Sequence, residues 1–420
     1  MVRFGIVGGG LSGLAVGNFL RNSMVFEAEK NAGGLLRSEN IGGYTFDTGG
    51  SHIIFSKSSD VLSELLTLIG DYVEHRRRTF IYYNNKFIKY PFENGISMLP
   101  KQDRFEILKD FVENLLKEKK QPENLLEWFY FVFGREITDR YLRPYNEKIW
   151  KRNLEEISLE WVGGRVPNPP IEDILKSAVG IETEGYIHQL RFFYPLYGGI
   201  ETIARKLSER VELRTEEAVG RISSSDGKLY VATDRGDYEF DKVVYTAPLT
   251  DLPRIMDCKE IREDLKSLDY NSLTVVGIGV RGRVPNYHWL YFPQSEILFH
   301  RVAFLSNYSP SMAPAGCSTI IAEISRKPGE KLKRVCDRVI DDLREVGFEF
   351  NVEVCGQWDW EHAYVVYNHD YRKAVSRIRS FLLRRGVIPF GRFGGWEYLN
   401  MDAVFGKARD LALKVEKGMI

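Results

Sequence analysis

The residues that most constrain this 420-residue chain are its first fifty. Phe4-Gly5-Ile6-Val7 runs into Gly8-Gly9-Gly10-Leu11-Ser12-Gly13, then an apolar helical pattern, then Val25-Phe26-Glu27-Ala28. That order predicts a strand, a Gly-x-Gly-x-x-Gly turn, a helix and a second strand ending in an acid, the arrangement that binds a dinucleotide. Gly8 makes the tight turn, Gly10 lets backbone approach a pyrophosphate, and Gly13 lets helix pack on strand. The helix N-terminus offers free N–H groups and its positive end to the phosphates, with Gly9, Leu11 and Ser12 completing the cradle. Glu27 stands nineteen residues after Gly8, where a carboxylate accepts from ribose hydroxyls and repels the 2′-phosphate of NADP.

Two further glycine-rich segments belong to the same argument. Ala32-Gly33-Gly34-Leu35-Leu36-Arg37-Ser38 and Asp47-Thr48-Gly49-Gly50-Ser51-His52 permit backbone to lie against a flat ligand without Cβ clashes. Near the other end, Phe390-Gly391-Arg392-Phe393-Gly394-Gly395 and Tyr398-Leu399-Asn400-Met401-Asp402 precede a helix, with Val404, Ala408, Leu411, Ala412 and Val415 at helical spacing. A glycine-rich strand end feeding a helix N-terminus is a second anion-friendly place.

These residues resemble the flavoprotein superfamily of amine oxidases, protoporphyrinogen oxidases and UDP-galactopyranose mutases, over nearly the whole chain. Gly33 to Ser38 is similar to the second FAD motif of the oxidases. Gly50-Ser51-His52-Ile53, Tyr90-Pro91-Phe92, Pro144 to Trp150 and Tyr398 to Asp402 resemble mutase segments. The resemblance implies FAD as cofactor. It also implies a cofactor contact at Val219 and places the helix after Asn400-Met401-Asp402 by the flavin's N1–C2 edge. A helix N-terminus there stabilises the charge that reduction adds; Asn400 and Asp402 read equally as helix caps.

The expected fold is α/β, with a discontinuous Rossmann-type FAD-binding domain (1–75, 196–250 and 371–420). A second domain, of mixed sheet and helices, would hold the substrate (76–195 and 251–370). Residues 76–195 read mainly helical, with Phe105, Leu108, Val112 and Leu115 on one face and Phe129, Phe133, Ile137 and Tyr141 on another. Strands are expected at Ser272–Val280, Thr319–Ile324 and Phe348–Cys355, and a helix through Leu332, Val335, Val339 and Leu343.

Charge balance, 58 basic against 58 acidic residues, argues against a nucleic-acid groove. No apolar run reaches the length of a membrane span, so membrane contact would be peripheral, through a surface patch. Cys258, Cys317, Cys336 and Cys355 are scattered without a Cys-x-x-Cys pair, which reads as free thiols, without metal, in a reducing cytosol. With the nucleotide-binding strand so near Met1, a cytoplasmic protein without a signal peptide is expected.

His52 reads equally as a flavin-facing donor or proton-transfer group, and as a loop anchor. Arg165 and Arg191 fall where the mutases keep substrate-binding residues, so each is a candidate for a substrate carboxylate or diphosphate or for a structural ion pair. Tyr364 and Tyr367 are candidate walls of an aromatic substrate pocket. Where the mutases have an aromatic-Arg-Ser/Thr-Leu segment, this chain has Tyr270-Asn271-Ser272-Leu273, and Asn271 carries no charge for a diphosphate. The sequence therefore favours an FAD-dependent oxidoreductase of the amine oxidase/protoporphyrinogen oxidase type that draws a hydride from a small or medium organic substrate. A mutase-like isomerase acting on a nucleotide sugar is the alternative, and a non-catalytic flavin-bearing scaffold the third reading.

Overall fold

Four short apolar runs and one mixed one, drawn from three distant parts of the chain, build the sheet that carries the glycine turn. The computed structural model describes residues 2–163, 169–184 and 190–419. In it Phe4–Val7 lies at the centre of a five-stranded parallel sheet, flanked by Ser23–Phe26 and Glu212–Arg214 on one side and Lys242–Tyr245 and Val387–Pro389 on the other. Phe4–Val7 is buried at every position, as a strand covered on both faces must be. The helix Leu11–Phe19 follows at once, and the C-terminal helix Met401–Glu416 packs beside it.

A second, seven-stranded sheet runs in the order Asn351–Val366, Asp269–Arg281, Cys317–Arg326, Arg301–Phe304, Trp289–Tyr291, Thr79–Tyr83, Lys86–Lys89. Its pairings are antiparallel except for Trp289–Tyr291 beside Thr79–Tyr83. One apolar core joins the sheets: Ile6, Val25 and Val244 from the first share a buried cluster with Leu273, Val275, Trp289 and Ile321 from the second. Four helices, Lys101–Leu116, Leu125–Ile137, Arg143–Trp150 and Ile171–Ala178, stand beside the second sheet.

Several expectations need correcting. The stretch that opens the expected helical region is strand. Thr79–Tyr83 and Lys86–Lys89 form a hairpin because Asn84 and Asn85 both take positive φ, 48° and 58°, as a two-residue turn of that type requires. On Lys101–Leu116 the buried residues are Ile107, Phe111 and Asn114, whereas Phe105 is 60% exposed and Val112 and Leu115 also face outward. The Phe129, Phe133, Ile137 and Tyr141 set is buried. The later helix begins at Cys336, so Leu332 and Val335 precede it, and the strand expected at Phe348–Cys355 runs instead from Asn351 to Val366.

The cysteines are not all free. Cys336, on the helix Cys336–Glu345, is bonded to Cys355 on the adjoining edge strand, while Cys258 and Cys317 stay reduced. Patterning of isolated cysteines cannot reveal this, because pairing depends on where a helix docks against a sheet. Closing a loop of this length restricts the unfolded chain by about 3 kcal/mol on the chain-entropy account. The Cys336→Ser variant, or wild type with reductant, should therefore melt several degrees lower by scanning calorimetry. An unchanged melting temperature would show that the bridge does not form. No helix among the described residues is long and apolar enough to cross a membrane.

Candidate active site

The glycine turn opens into a cavity of about 670 Å³. Its walls include Gly8, Gly10, Leu11, Ser12, Glu27, Ala28, Gly33, Gly34, Leu35, Ser51, His52, Val219, Asn400 and Met401, which brings the three glycine-rich segments together. Gly33 donates its N–H to the Gly9 carbonyl at 2.8 Å, and this contact seats the second segment on the first. The Glu27 carboxylate is fixed by the N–H groups of Gly9 and Glu29, each at 2.9 Å. Gly13 and Gly391 shape the cavity from behind. A Cβ on Gly13 would lie 1.9 Å from the Gly8 carbonyl oxygen, and one on Gly391 would lie 2.0 Å from Ser12 Oγ.

Two helix N-termini face this space. Gly10 precedes the helix Leu11–Phe19 and Asn400 precedes Met401–Glu416, and neither position makes a side-chain capping bond. Capping therefore does not account for Asn400, and the unsatisfied N–H groups of both first turns remain for a ligand. The cradle fits a flavin dinucleotide: backbone donors for a pyrophosphate, an acid for a ribose and a long trough between sheet and helices.

A second cavity, of about 840 Å³, meets the first. His52, Tyr291, Arg301, Arg392, Leu399 and Asn400 line both. His52 Nδ1 lies 2.9 Å from the Gly50 carbonyl, which can only accept, so Nδ1 carries the proton and Nε2 is an acceptor. Burial, with Arg392 and Arg301 nearby, pushes His52 down to about 3, so it is neutral at pH 7. His52 is thus anchored to its own loop, and it lines both cavities.

The two arginines of the seam were not singled out in the sequence. Arg301 grips the fully buried Glu323 through Nε (2.8 Å) and Nη2 (2.6 Å), and Glu323 also accepts the Ser51 N–H at 2.9 Å. Arg392 donates to the carbonyls of Leu399 (3.0 and 2.6 Å) and Ala363 (3.2 Å). Among the described residues it pairs with no carboxylate, so its charge is uncompensated beside the cofactor space. The Gly-Arg pair at 391–392 is the local sequence signal for Arg392.

Other expected positions lie elsewhere. Tyr364 lines the second cavity, as does Gly49. Tyr367 does not: its ring stacks on Tyr371 at 3.8 Å and its hydroxyl accepts the Tyr398 N–H at 2.8 Å. Arg191 lies on the surface, ion-paired with Glu74, because it starts the edge strand Arg191–Pro195. Arg37 lies outside both linings, its guanidinium 4.7 Å from the Trp360 ring centre, and Gly50 sits behind them against Glu323. Arg165 falls outside the described residues. Asn271 is buried, its Nδ2 donating to the Ile149 carbonyl (2.6 Å) and its Oδ1 accepting from Arg152 (2.5 Å), so it fastens the helix end to the sheet.

Comparison with known proteins agrees with this architecture. The chain belongs to the flavin-containing amine oxidoreductase family, which it matches over residues 11–372. Its curated relatives include the mitochondrial protoporphyrinogen oxidase of Nicotiana tabacum, 22% identical over 90% of this chain and 87% of that protein. Another is the 1-hydroxycarotenoid 3,4-desaturase of Flavobacterium sp. (strain P99-3), 23% identical over 77% and 76%. Among solved structures, a reduced UDP-galactopyranose mutase superposes with a TM-score of 0.90 at 26% identity, covering 100% of this chain and 94% of that one. A putative protoporphyrinogen oxidase from Exiguobacterium sp. 255-15 gives 0.78 at 16%, over 99% of both, a likeness of fold alone. The protein is thus a flavoprotein of this family, with the mixed α/β fold its sequence announced.

Proposed function

We propose that the protein is an FAD-dependent oxidoreductase that takes a hydride from an organic substrate held in the second cavity. The observation that carries this reading is the seam. A dinucleotide cofactor in the first cavity can touch a substrate in the second where the two linings meet, at residues that include His52, Tyr291, Arg301, Arg392, Leu399 and Asn400. When bound, FAD would supply the two-electron acceptor for a hydride leaving a C–H bond of the substrate, the carbon becoming part of a C=N or C=C bond as a proton is lost from the neighbouring atom. Gly8 to Gly13 with Glu27 and Val219 would hold the adenosine diphosphate half. Arg392 and the N-terminus of Met401–Glu416 would set fixed positive charge beside the bound flavin and so favour the negative charge that its reduction adds. His52 holds a neutral acceptor nitrogen toward the seam. Phe129, Trp150, Trp161, Tyr364 and Tyr398 wall the second cavity with rings that exclude water.

The test is anaerobic mixing of the oxidised protein with amines, porphyrinogens and sugar nucleotides while the visible flavin bands are followed. Stoichiometric bleaching by one class is the expected result, and bleaching by none counts against the reading.

The likeness to a reduced mutase along the whole chain favours a second reading, a redox-neutral isomerase acting on a nucleotide sugar. Asn271 supplies no diphosphate clamp, so Arg301, Arg392 or Arg165 would have to. Dithionite-reduced protein incubated with UDP-galactopyranose and UDP-galactofuranose separates the two readings. Interconversion that requires reduced flavin replaces the first, and neither conversion nor a spectral change removes the UDP-galactose form of the second.

A further inference from the structure

The helix Lys101–Leu116 carries two apolar faces, and the single chain covers only one of them. Ile107, Phe111 and Asn114 are buried where this helix packs on Leu125–Ile137. Phe105, Leu108, Val112 and Leu115 form the other face, at spacings of three, four and three residues. That spacing is one continuous stripe on a helix, the seam by which helices pack on helices. Here Leu108 is half-buried, and Phe105, Val112, Leu115 and the adjoining Leu116 stand in water.

The stripe belongs to a wider apolar surface. Nine of the fifteen large apolar side chains exposed among the described residues lie in three places: on this helix, on or just after Ile171–Ala178 that packs beside it, and at Met98 in the turn this second helix touches. Each of the nine is 38% to 82% exposed, which at roughly 150 Å² per side chain leaves on the order of 700 Å² of apolar surface in water. Soluble monomers seldom show a patch above about 300–600 Å². One partner of a standard protein interface contributes about 800 Å².

The charges around the stripe select what covers it. Residues 101–123 hold six basic and six acidic side chains, and Ile171–Ala178 sets Glu172 and Asp173 against Lys176. Several are already paired within their own helices, Lys109 with Glu113 at 3.9 Å and Lys176 with Glu172 at 2.7 Å. Such a surface has no net positive charge to attract an anionic bilayer, and no net charge of either sign for a highly charged partner. It suits another neutral, apolar helical face. The spacing three-four-three also reads the same in both directions. About a two-fold axis level with Asp110, Phe105 meets the partner's Leu115 and Leu108 meets the partner's Val112, as a self-complementary contact requires.

We propose that this face is the interface of a two-fold homodimer, in which the helix Lys101–Leu116 pairs antiparallel with its copy. The assembly does not depend on the flavin chemistry, but it backs the substrate space. Ile107 and Phe111 share a buried cluster with Phe129, which lines the second cavity.

The experiment measures the mass of the flavin-bound protein by light scattering and sedimentation equilibrium, over about a hundredfold range of micromolar concentrations. A mass of two chains is expected. Val112→Glu sets a charge into the interface twice and should weaken association at least about a hundredfold. Its flavin bands and melting temperature should persist, because the side chain is exposed in the single chain. Leu383→Glu, at an exposed leucine of the helix Tyr371–Arg384, should leave the dimer intact. The double variant Phe105→Cys/Leu115→Cys should form a linked dimer on mild oxidation, which neither single variant nor wild type does. If Val112→Glu does not hold its flavin, this crosslink decides. Wild type that stays a single chain throughout, or a dimer that Val112→Glu leaves unchanged, overturns the interface. A double variant that does not crosslink overturns the antiparallel pairing. Sedimentation with phosphatidylcholine–phosphatidylserine vesicles that Val112→Glu abolishes would assign the face to a bilayer instead.

Discussion

Gly10→Val should yield a colourless protein that is nevertheless folded. A Cβ at Gly10 meets only the Gly34 Cα, at 4.0 Å, and the backbone there (φ −72°, ψ −179°) suits any residue. The valine methyls would instead occupy the space where the N–H groups of the helix Leu11–Phe19 open into the cavity. Losing two charge-assisted contacts to a pyrophosphate costs about 3–6 kcal/mol, a hundredfold or more in affinity. The visible flavin bands should therefore disappear, while the far-ultraviolet circular dichroism stays that of flavin-free wild type. Gly13→Val is the contrast. Its side chain would collide with the Gly8 carbonyl, so this variant should fail to fold rather than fold empty. A yellow Gly10→Val protein would mean that the cofactor does not lie along this turn.

The contrast between the two glycines also marks what the sequence could reveal. Both stand in one local motif, and local motifs are legible because turn, helix start and strand end are set by neighbouring residues. The convergence of Gly8 to Gly13, Gly33-Gly34 and Asn400-Met401 on one cavity was legible for the same reason, since each segment carries its own backbone signature. The second cavity was not. Arg301 and Glu323 lie on adjacent strands and pair through sheet register, and Tyr291 and Tyr364 come from strands at different places in the same sheet. Register is a long-range property that no window of sequence contains. Arg191 illustrates the converse error. Its position after the helical region matched a pattern, but strand pairing with Tyr72–Arg76 turned it to the surface. The Asn84-Asn85 hairpin was a local signal that was present and missed, whereas the outward turn of Phe105 depends on which face the helix Leu125–Ile137 covers.

Folded protein should lose stability steeply as the pH falls below about 6.5, and buried imidazoles are the reason. Five of the seven histidines, His52, His75, His288, His300 and His362, have their basicity lowered, burial being the largest cause in each. His52 falls to about 3 and His288 to about 2. In the unfolded chain each takes up a proton near pH 6.5, whereas in the native state it does so only at lower pH, with the largest displacement at His52, His288 and His300. Over that interval the unfolded state binds more protons, so acid favours it. Stability is full above 6.5 and is lost downward through the window, at up to about 1.4 kcal/mol per pH unit for each fully buried histidine. Asp47 acts in the opposite sense. Burial pushes it up to about 6 despite bonds from Tyr194, Ser38 and Ile200, so between 6 and its ordinary value it holds a proton that the unfolded chain lacks. Burial raises Glu201, Asp269 and Asp342 in the same sense, but the ordinary values of all four carboxyls lie below this window, so the five imidazoles outweigh them and the net slope between pH 6.5 and 5 stays positive. Urea unfolding at half-unit pH steps should show several kcal/mol lost across that interval. The sharpest check is His288→Asn: this residue is wholly buried and its Nδ1 accepts the Arg78 N–H at 3.0 Å, a bond that an asparagine oxygen can replace. That variant should be less stable at pH 8, yet its loss between pH 6.5 and 5 should be shallower by about 1.4 kcal/mol per unit. A wild-type profile that is flat or rises toward pH 5 would mean that these imidazoles are already charged, or that water reaches them, in the folded protein.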